Sequence, residues 1–160
     1  CIMLGGRGAP GAIRDLPESV ESIPVGAKAD LLYFLQAAHI SRPINDDERR
    51  RMVDSKRPFV APTVVQYVLR YSDGQTATVD VHVEEHVDHW IQEEPRPLAG
   101  AQIAWTAPIG DDGIQRAVVY SMQAANPRPD VAIESIDVVK GDGRATPALL
   151  GITLGEIVGK

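Results

Sequence analysis

The chain is short of most things that would give an easy answer. It has one cysteine, Cys1, so no disulfide can close within it and the redox compartment stays open. No apolar run approaches the ~18 residues that a membrane span needs, and no basic start leads into an apolar stretch and a cleavage site. Positive charge is also scarce. Sixteen Lys and Arg face 22 Asp and Glu, for a net charge of −6 and a pI near 5.1. Neither nucleic acid nor an anionic membrane is therefore an expected partner. Long stretches of helical periodicity are missing, and aromatic residues number only eight: two Trp, four Tyr and two Phe. What remains is 160 residues, 44% hydrophobic and 24% charged, the make-up of one globular domain.

The pattern that is present is alternation broken by turn chemistry. Thr63 to Tyr71 and Gln75 to Val83 flank Ser72-Asp73-Gly74, where Asp-Gly supplies a tight turn, and this predicts a hairpin. On its second arm Val79, Val81 and Val83 share one face, with Thr78, Asp80 and His82 on the other. Ala29 to Ala38 is apolar on both faces and reads as a buried strand. Further strands are expected at Ala101–Ala107, Ile114–Ala124, Val131–Val139 and Thr146–Leu154, and Cys1 to Leu4 reads as a short one entered mid-element. Asp111-Asp112-Gly113, Asn126-Pro127-Arg128-Pro129 and Gly141-Asp142-Gly143 separate the later strands. Ile40 to Ala61 reads as a long charged loop with one helical turn capped by Asp46. Eight or nine short strands with at most one or two helical turns mean an all-β fold, an antiparallel sandwich of the jelly-roll kind. Val, Ile, Leu and Ala must carry most of its core.

Three catalytic patterns each fall short of their context. Gly6-Arg7-Gly8-Ala9-Pro10-Gly11 fits a phosphate-cradling fingerprint, but Pro17 closes off the helix that such a loop must open. Cys1 as an amino-terminal nucleophile needs a helix-covered core that the chain lacks the sequence to build. His82-Val83-Glu84-Glu85-His86 with His89 matches an inverted zinc-peptidase motif only on a helix, and the alternation puts His82 on a strand. His86 and His89 share a face only if Glu85 to Ile91 forms a helical turn, which leaves two ligands, with Asp88 the one further candidate, where zinc wants three or four. No catalytic or metal-ligating residue is assigned.

The tryptophans offer a different chemistry, because an indole face matches the apolar face of a pyranose ring. Trp90 follows a polar turn and is the better contact, with Arg70 or His89 beside it. Trp105 lies mid-strand, where packing in the core is the stronger expectation. Tyr33, Tyr67 and Tyr71 are expected in the core.

Several stretches resemble a known family. Ser22-Ile23-Pro24-Val25-Gly26-Ala27-Lys28-Ala29 through Phe34-Leu35-Gln36-Ala37-Ala38, the hairpin Tyr67 to Gly74, Val87-Asp88-His89-Trp90, and Asn126-Pro127-Arg128-Pro129 through Ser135-Ile136-Asp137 follow in an order similar to that of galactose-binding-type jelly-roll modules. Those modules are appended to bacterial polysaccharide-degrading glycoside hydrolase-like proteins. The resemblance runs from residue 19 to Thr153. It implies a non-catalytic carbohydrate-binding accessory, with poly- or oligosaccharide and a neighbouring catalytic domain as partners and an extracellular or periplasmic setting. It implies no cofactor, although a structural calcium ion occurs in related jelly rolls. It also implies a module cut from a larger protein. Gln36, where the family often has His, and the long stretch from Ile40 to Ala61 depart from its pattern. The ligand-binding set expected from the sequence is Trp90, Arg70, His89 and Trp105. The competing expectation is a sandwich that docks against a catalytic domain through apolar surface along one sheet.

Overall fold

The computed structural model describes residues 1–5, 16–41, 43–54, 61–141 and 144–157. Two antiparallel sheets pack face to face as a β-sandwich. The strands are β1 (Ile2–Met3), β2 (Ser19–Ala27), β3 (Leu31–Ile40), β4 (Thr63–Tyr71), β5 (Thr76–His82), β6 (Ile91–Gln92), β7 (Ala101–Ile109), β8 (Gln115–Ala125), β9 (Ile133–Lys140) and β10 (Ala145–Gly155), with helix α1 (Asp46–Asp54) between β3 and β4. One sheet runs β2-β9-β4-β5. In the other, β1, β10, β3 and β8 follow in order, and β7 lines the far edge of β8.

That second sheet contains a fork. Residues 31–36 of β3 pair with 120–125 of β8, and β6 pairs with Arg116 and Ala117 farther along the same edge of β8. Beyond Gln36 the two long strands part, and residues 89–92 fill the gap. His89 bridges Ala38, the Trp90 N–H donates to the Ala38 carbonyl at 2.8 Å, and the Val118 N–H donates to the Trp90 carbonyl at 2.8 Å.

The core lies between the sheets. Leu32, Phe34, Val118, Tyr120 and Met122 from one side meet Val65, Tyr67, Leu69, Tyr71, Ile136 and Val138 from the other. The Phe34 and Tyr67 rings stack across the interface with centroids 4.0 Å apart and planes 4° from parallel. Burying each such side chain is worth about 1.5–3 kcal/mol. Two buried polar ties cross the core. Tyr67 Oη donates to Gln36 Oε1 at 2.6 Å while Gln36 Nε2 donates to the His86 carbonyl, and Tyr71 Oη donates to Asn126 Oδ1 while Asn126 Nδ2 donates to the Ala29 carbonyl.

The Asp-Gly hairpin is present. Gly74 has φ +82°, a value that glycine takes without strain, and Asp73 Oδ1 accepts the Gln75 N–H. Arg128 holds Asp73 and lies over the Tyr71 ring, and this contact, together with the Gln75 N–H, lowers the Asp73 carboxyl to about pKa 2. Elsewhere the structure corrects the sequence reading. The helix cap is Asn45, not Asp46: Asn45 Oδ1 accepts the Glu48 N–H and Glu48 Oε2 accepts the Asn45 N–H, a reciprocal capping box. Tyr33 faces outward on β3 and is only half-buried, while Tyr67 and Tyr71 are core. Strand β2 was not anticipated, because Pro24, left-handed Ser22 (φ 58°) and Gly26 (φ 68°), and two register breaks erase its alternation. It is an edge strand, where such irregularity is tolerated. The glycine run Gly6 to Gly11 and the tip of the Gly141–Gly143 turn lie outside the described residues.

Candidate functional site

The outward face of the six-stranded sheet carries an apolar groove of about 470 Å³. Its floor is made of small residues at outward positions. Ala37 on β3 stands opposite Ala148 on β10, and Ala117 and Val119 lie on β8. Its rims are large. Trp90 and Trp105 are 40% and 54% exposed, and Met3 and Leu150 are exposed on the opposite flank. Small side chains between large ones are what make a depression on an otherwise flat sheet. The polar groups that reach it are few: the His39 ring, the Thr146 hydroxyl and the Cys1 thiol.

Trp105 therefore does not belong to the core, and the reason is a β-bulge. Ile103 pairs with Tyr120 and Trp105 with Val119, so β7 advances two residues while β8 advances one, and Ala104 is the extra residue. Without the bulge Trp105 would share the inward face of Ala101 and Ile103. With it the indole turns out beside Val119. A second bulge acts at the other flank. Leu149 pairs with Gln36 and Gly151 with Leu35, so Leu150 is the extra residue; it keeps the outward facing that alternation from Ala148 gives it, and Gly151 takes the place opposite Leu35.

Trp90 is set by the fork. Its backbone is held on both sides by Ala38 and Val118, so its side chain leaves the sheet at a fixed point on the rim. The segment that delivers it, residues 83–89, is a compact loop, not the helical turn that a shared metal face would need. Glu84 adopts φ 63°, the Glu84 N–H donates to the Val87 carbonyl, and the His86 N–H donates to the His82 carbonyl. The four histidines come together as two pairs. His39 and His89 have ring centroids 5.1 Å apart, and His82 and His86 5.5 Å. In each pair one Nδ1 is already used: His89 Nδ1 accepts the Ile40 N–H and His86 Nδ1 accepts the His82 N–H, both at 3.0 Å. Among the described residues no three His, Cys, Asp or Glu side chains converge as metal ligands do.

The sequence-derived set thus divides. Trp90, Trp105 and, through His39, His89 gather at the groove. Arg70 does not: it lies on β4 in the opposite sheet and pairs with Asp137, whose side chain is 2% exposed, at 2.6 Å. Asp137 also accepts the Ser22 N–H at 2.8 Å. Burial alone would raise the Asp137 carboxyl, but the guanidinium and the amide outweigh it and hold the group below its usual range. Arg70 is a structural counter-ion there, on the sheet opposite the groove. No family model, curated protein or solved structure matches this chain. The site is accordingly described from its own geometry. Sequence reasoning missed the alanine floor, Met3 and Leu150. The signal was available in β3, whose Leu35 and Ala37 are apolar at outward positions.

Proposed function

We propose that the protein is a non-catalytic binding module that holds a saccharide in the groove by stacking sugar rings on Trp90 and Trp105. The observation that carries this reading is the pair of exposed indoles on the rims of one small-floored groove. Exposed tryptophans are costly to leave in water and are retained where they bind. His39, Thr146 and the indole N–H groups are the hydrogen-bond partners at hand for ring hydroxyls. With so few of them, stacking dominates and each site is weak, so such a module acts by raising the local concentration of polymer near a joined enzyme. This agrees with the resemblance to accessory modules of glycoside hydrolase-like proteins.

A second reading rests on the scarcity of polar lining. Met3, Leu35 and Leu150 add exposed apolar area on the same sheet, and that suits a protein surface docked against it.

Affinity electrophoresis of the wild type through gels containing different plant and algal polysaccharides separates the two. Losing one indole face removes roughly 50–80 Å² of apolar contact, about 1–2 kcal/mol or roughly five- to thirtyfold in affinity. Trp90→Ala and Trp105→Ala are expected to abolish retardation, and Arg70→Ala to leave it intact. Retardation that survives both tryptophan substitutions removes the site, and migration unaltered in every gel favours docking.

A further inference from the structure

We propose that the loop from Val83 to Trp90 is an acid-released latch on one rim of the groove: protonation of His86 and His89 breaks the bonds that pin the loop and frees Trp90. This concerns the groove's shape and does not depend on what the groove holds.

The argument starts from hydrogen-bond direction. His86 Nδ1 accepts the His82 N–H and His89 Nδ1 accepts the Ile40 N–H. Each ring is therefore neutral with its proton on Nε2. A second proton must go to Nδ1, where it would face a backbone donor, so protonation replaces each bond with a donor–donor contact. Both bonds fasten the same segment. His82 ends β5 where the loop begins, and Ile40 lies on β3 beside Ala38, which takes the Trp90 N–H.

The surrounding charges decide whether acid can act. Around His89, burial and the facing His39 ring on β3 oppose the proton, Asp88 favours it, and the net displacement is downward from the ordinary value of 6.5. Asp88 is itself occupied, since its Oδ1 accepts the His89 N–H at 2.7 Å. Around His86, burial and His82 on β5 oppose the proton and Glu85, 3.8 Å from Nε2, favours it, again with a net downward shift. Among the described residues, the other elements packed there bring paired or neutral groups. Glu84 is paired with Arg49 from α1, Gln36 on β3 donates to the His86 carbonyl, Thr63 on β4 lies 3.3 Å from His82 Nδ1, and Gly100 packs against the His86 ring. Because both native values lie below the unfolded one, the folded loop is favoured above about pH 6.5 and loses that advantage as pH falls through the native values.

The test uses the protein without saccharide, so its failure is independent of whether sugars bind. Trp105→Phe leaves Trp90 as the sole indole. Its fluorescence quenching by a neutral solute is followed from about pH 7.5 to about pH 4.5, together with exchange of the Ile40 and His82 amides corrected for intrinsic rates. Quenching should rise at least twofold and amide protection fall at least tenfold below pH 6.5. In His86→Asn/His89→Asn, where a side-chain oxygen takes the place of Nδ1 and cannot titrate, both should stay flat. An unchanged Trp90 and protected amides at the acid end overturn the proposal, as does the same response in the Asn variant. Should that variant not fold, nitrogen chemical shifts of the wild-type imidazoles decide: Nε2–H tautomers at pH 7.5 that titrate below 6.5 support the latch, and an Nδ1–H tautomer or a higher titration point for either ring ends it.

Discussion

Tyr67→Phe isolates one hydrogen bond that reaches from the core to the groove loop. The ring stays, so the stack on Phe34 and the buried area are retained, and only the hydroxyl that donates to Gln36 Oε1 at 2.6 Å is lost. Burial pushes this phenol well above its ordinary value, so it is a donor at every accessible pH. Gln36 is buried and its amide nitrogen is committed to the His86 carbonyl, so its oxygen would be left unpaired. The cost of such an orphan is about 1–3 kcal/mol. For a chain of this length that corresponds to a fall in Tm of roughly 3–10 °C. Gln36→Leu removes the acceptor and orphans both the tyrosine hydroxyl and the His86 carbonyl, so it should cost more. In that background Tyr67→Phe removes an already unpaired hydroxyl and should cost nothing or restore stability. Urea denaturation of the two single variants, the double and the wild type completes the cycle. A Tyr67→Phe penalty equal in both backgrounds would mean that the hydroxyl does not depend on Gln36, and the tie between core and loop would be wrong.

Two further outcomes are expected. Asn126→Ala strands the buried Tyr71 hydroxyl and the Ala29 carbonyl together, and should lower stability by about 2–4 kcal/mol in thermal or urea unfolding, whereas a loss under ~1 kcal/mol would show that the tie is replaced. Asp137, held below its usual range, stabilises the fold above its unfolded pKa of about 3.9 and ceases to do so as pH drops through the native value. The urea midpoint should therefore decline below about pH 4, and more shallowly in Asp137→Asn, which should already be weaker at neutral pH.

What the sequence made legible follows from where its periodicity survives. Strands β4, β5, β8 and β9 keep alternation or turn punctuation, and their bounds fall within one or two residues of expectation. β2 was lost because proline and two left-handed residues break its period. The capping of α1 was displaced by one residue because Asn45, Asp46 and Asp47 are all competent caps and only the Glu48 reciprocity selects Asn45. At the site, Trp90 was legible as a loop aromatic. Trp105 was misplaced because a bulge leaves no mark in residue type, and a single extra residue inverts every inference about facing beyond it. Arg70 and Trp90 looked like neighbours only because linear order says nothing about which sheet a strand joins.

The two outer faces of the sandwich obey different rules, and that contrast locates function. On the β2-β9-β4-β5 sheet the outward positions include Gln66 bonded to Asp80, Arg70 bonded to Asp137, and Thr76, Thr78 and Glu134 around a half-buried Val68, a more polar surface. On the other sheet the outward positions around the groove are Leu35, Ala37, Ala117, Val119, Ala148 and Leu150, with His39 and Thr146 among them and Ser121 and Gln123 farther along β8, and a bulge adds Trp105 to the same side. A bulge interrupts the hydrogen-bond ladder, and on β7 it moves the Trp105 indole out of the buried series and into solvent. That step does not stabilise the isolated fold, since it gives up ladder bonds and burial together. A fold that accepts this loss on the rim of an apolar groove does so for something that the groove contacts, which is why binding is assigned to this face and not to the more polar one.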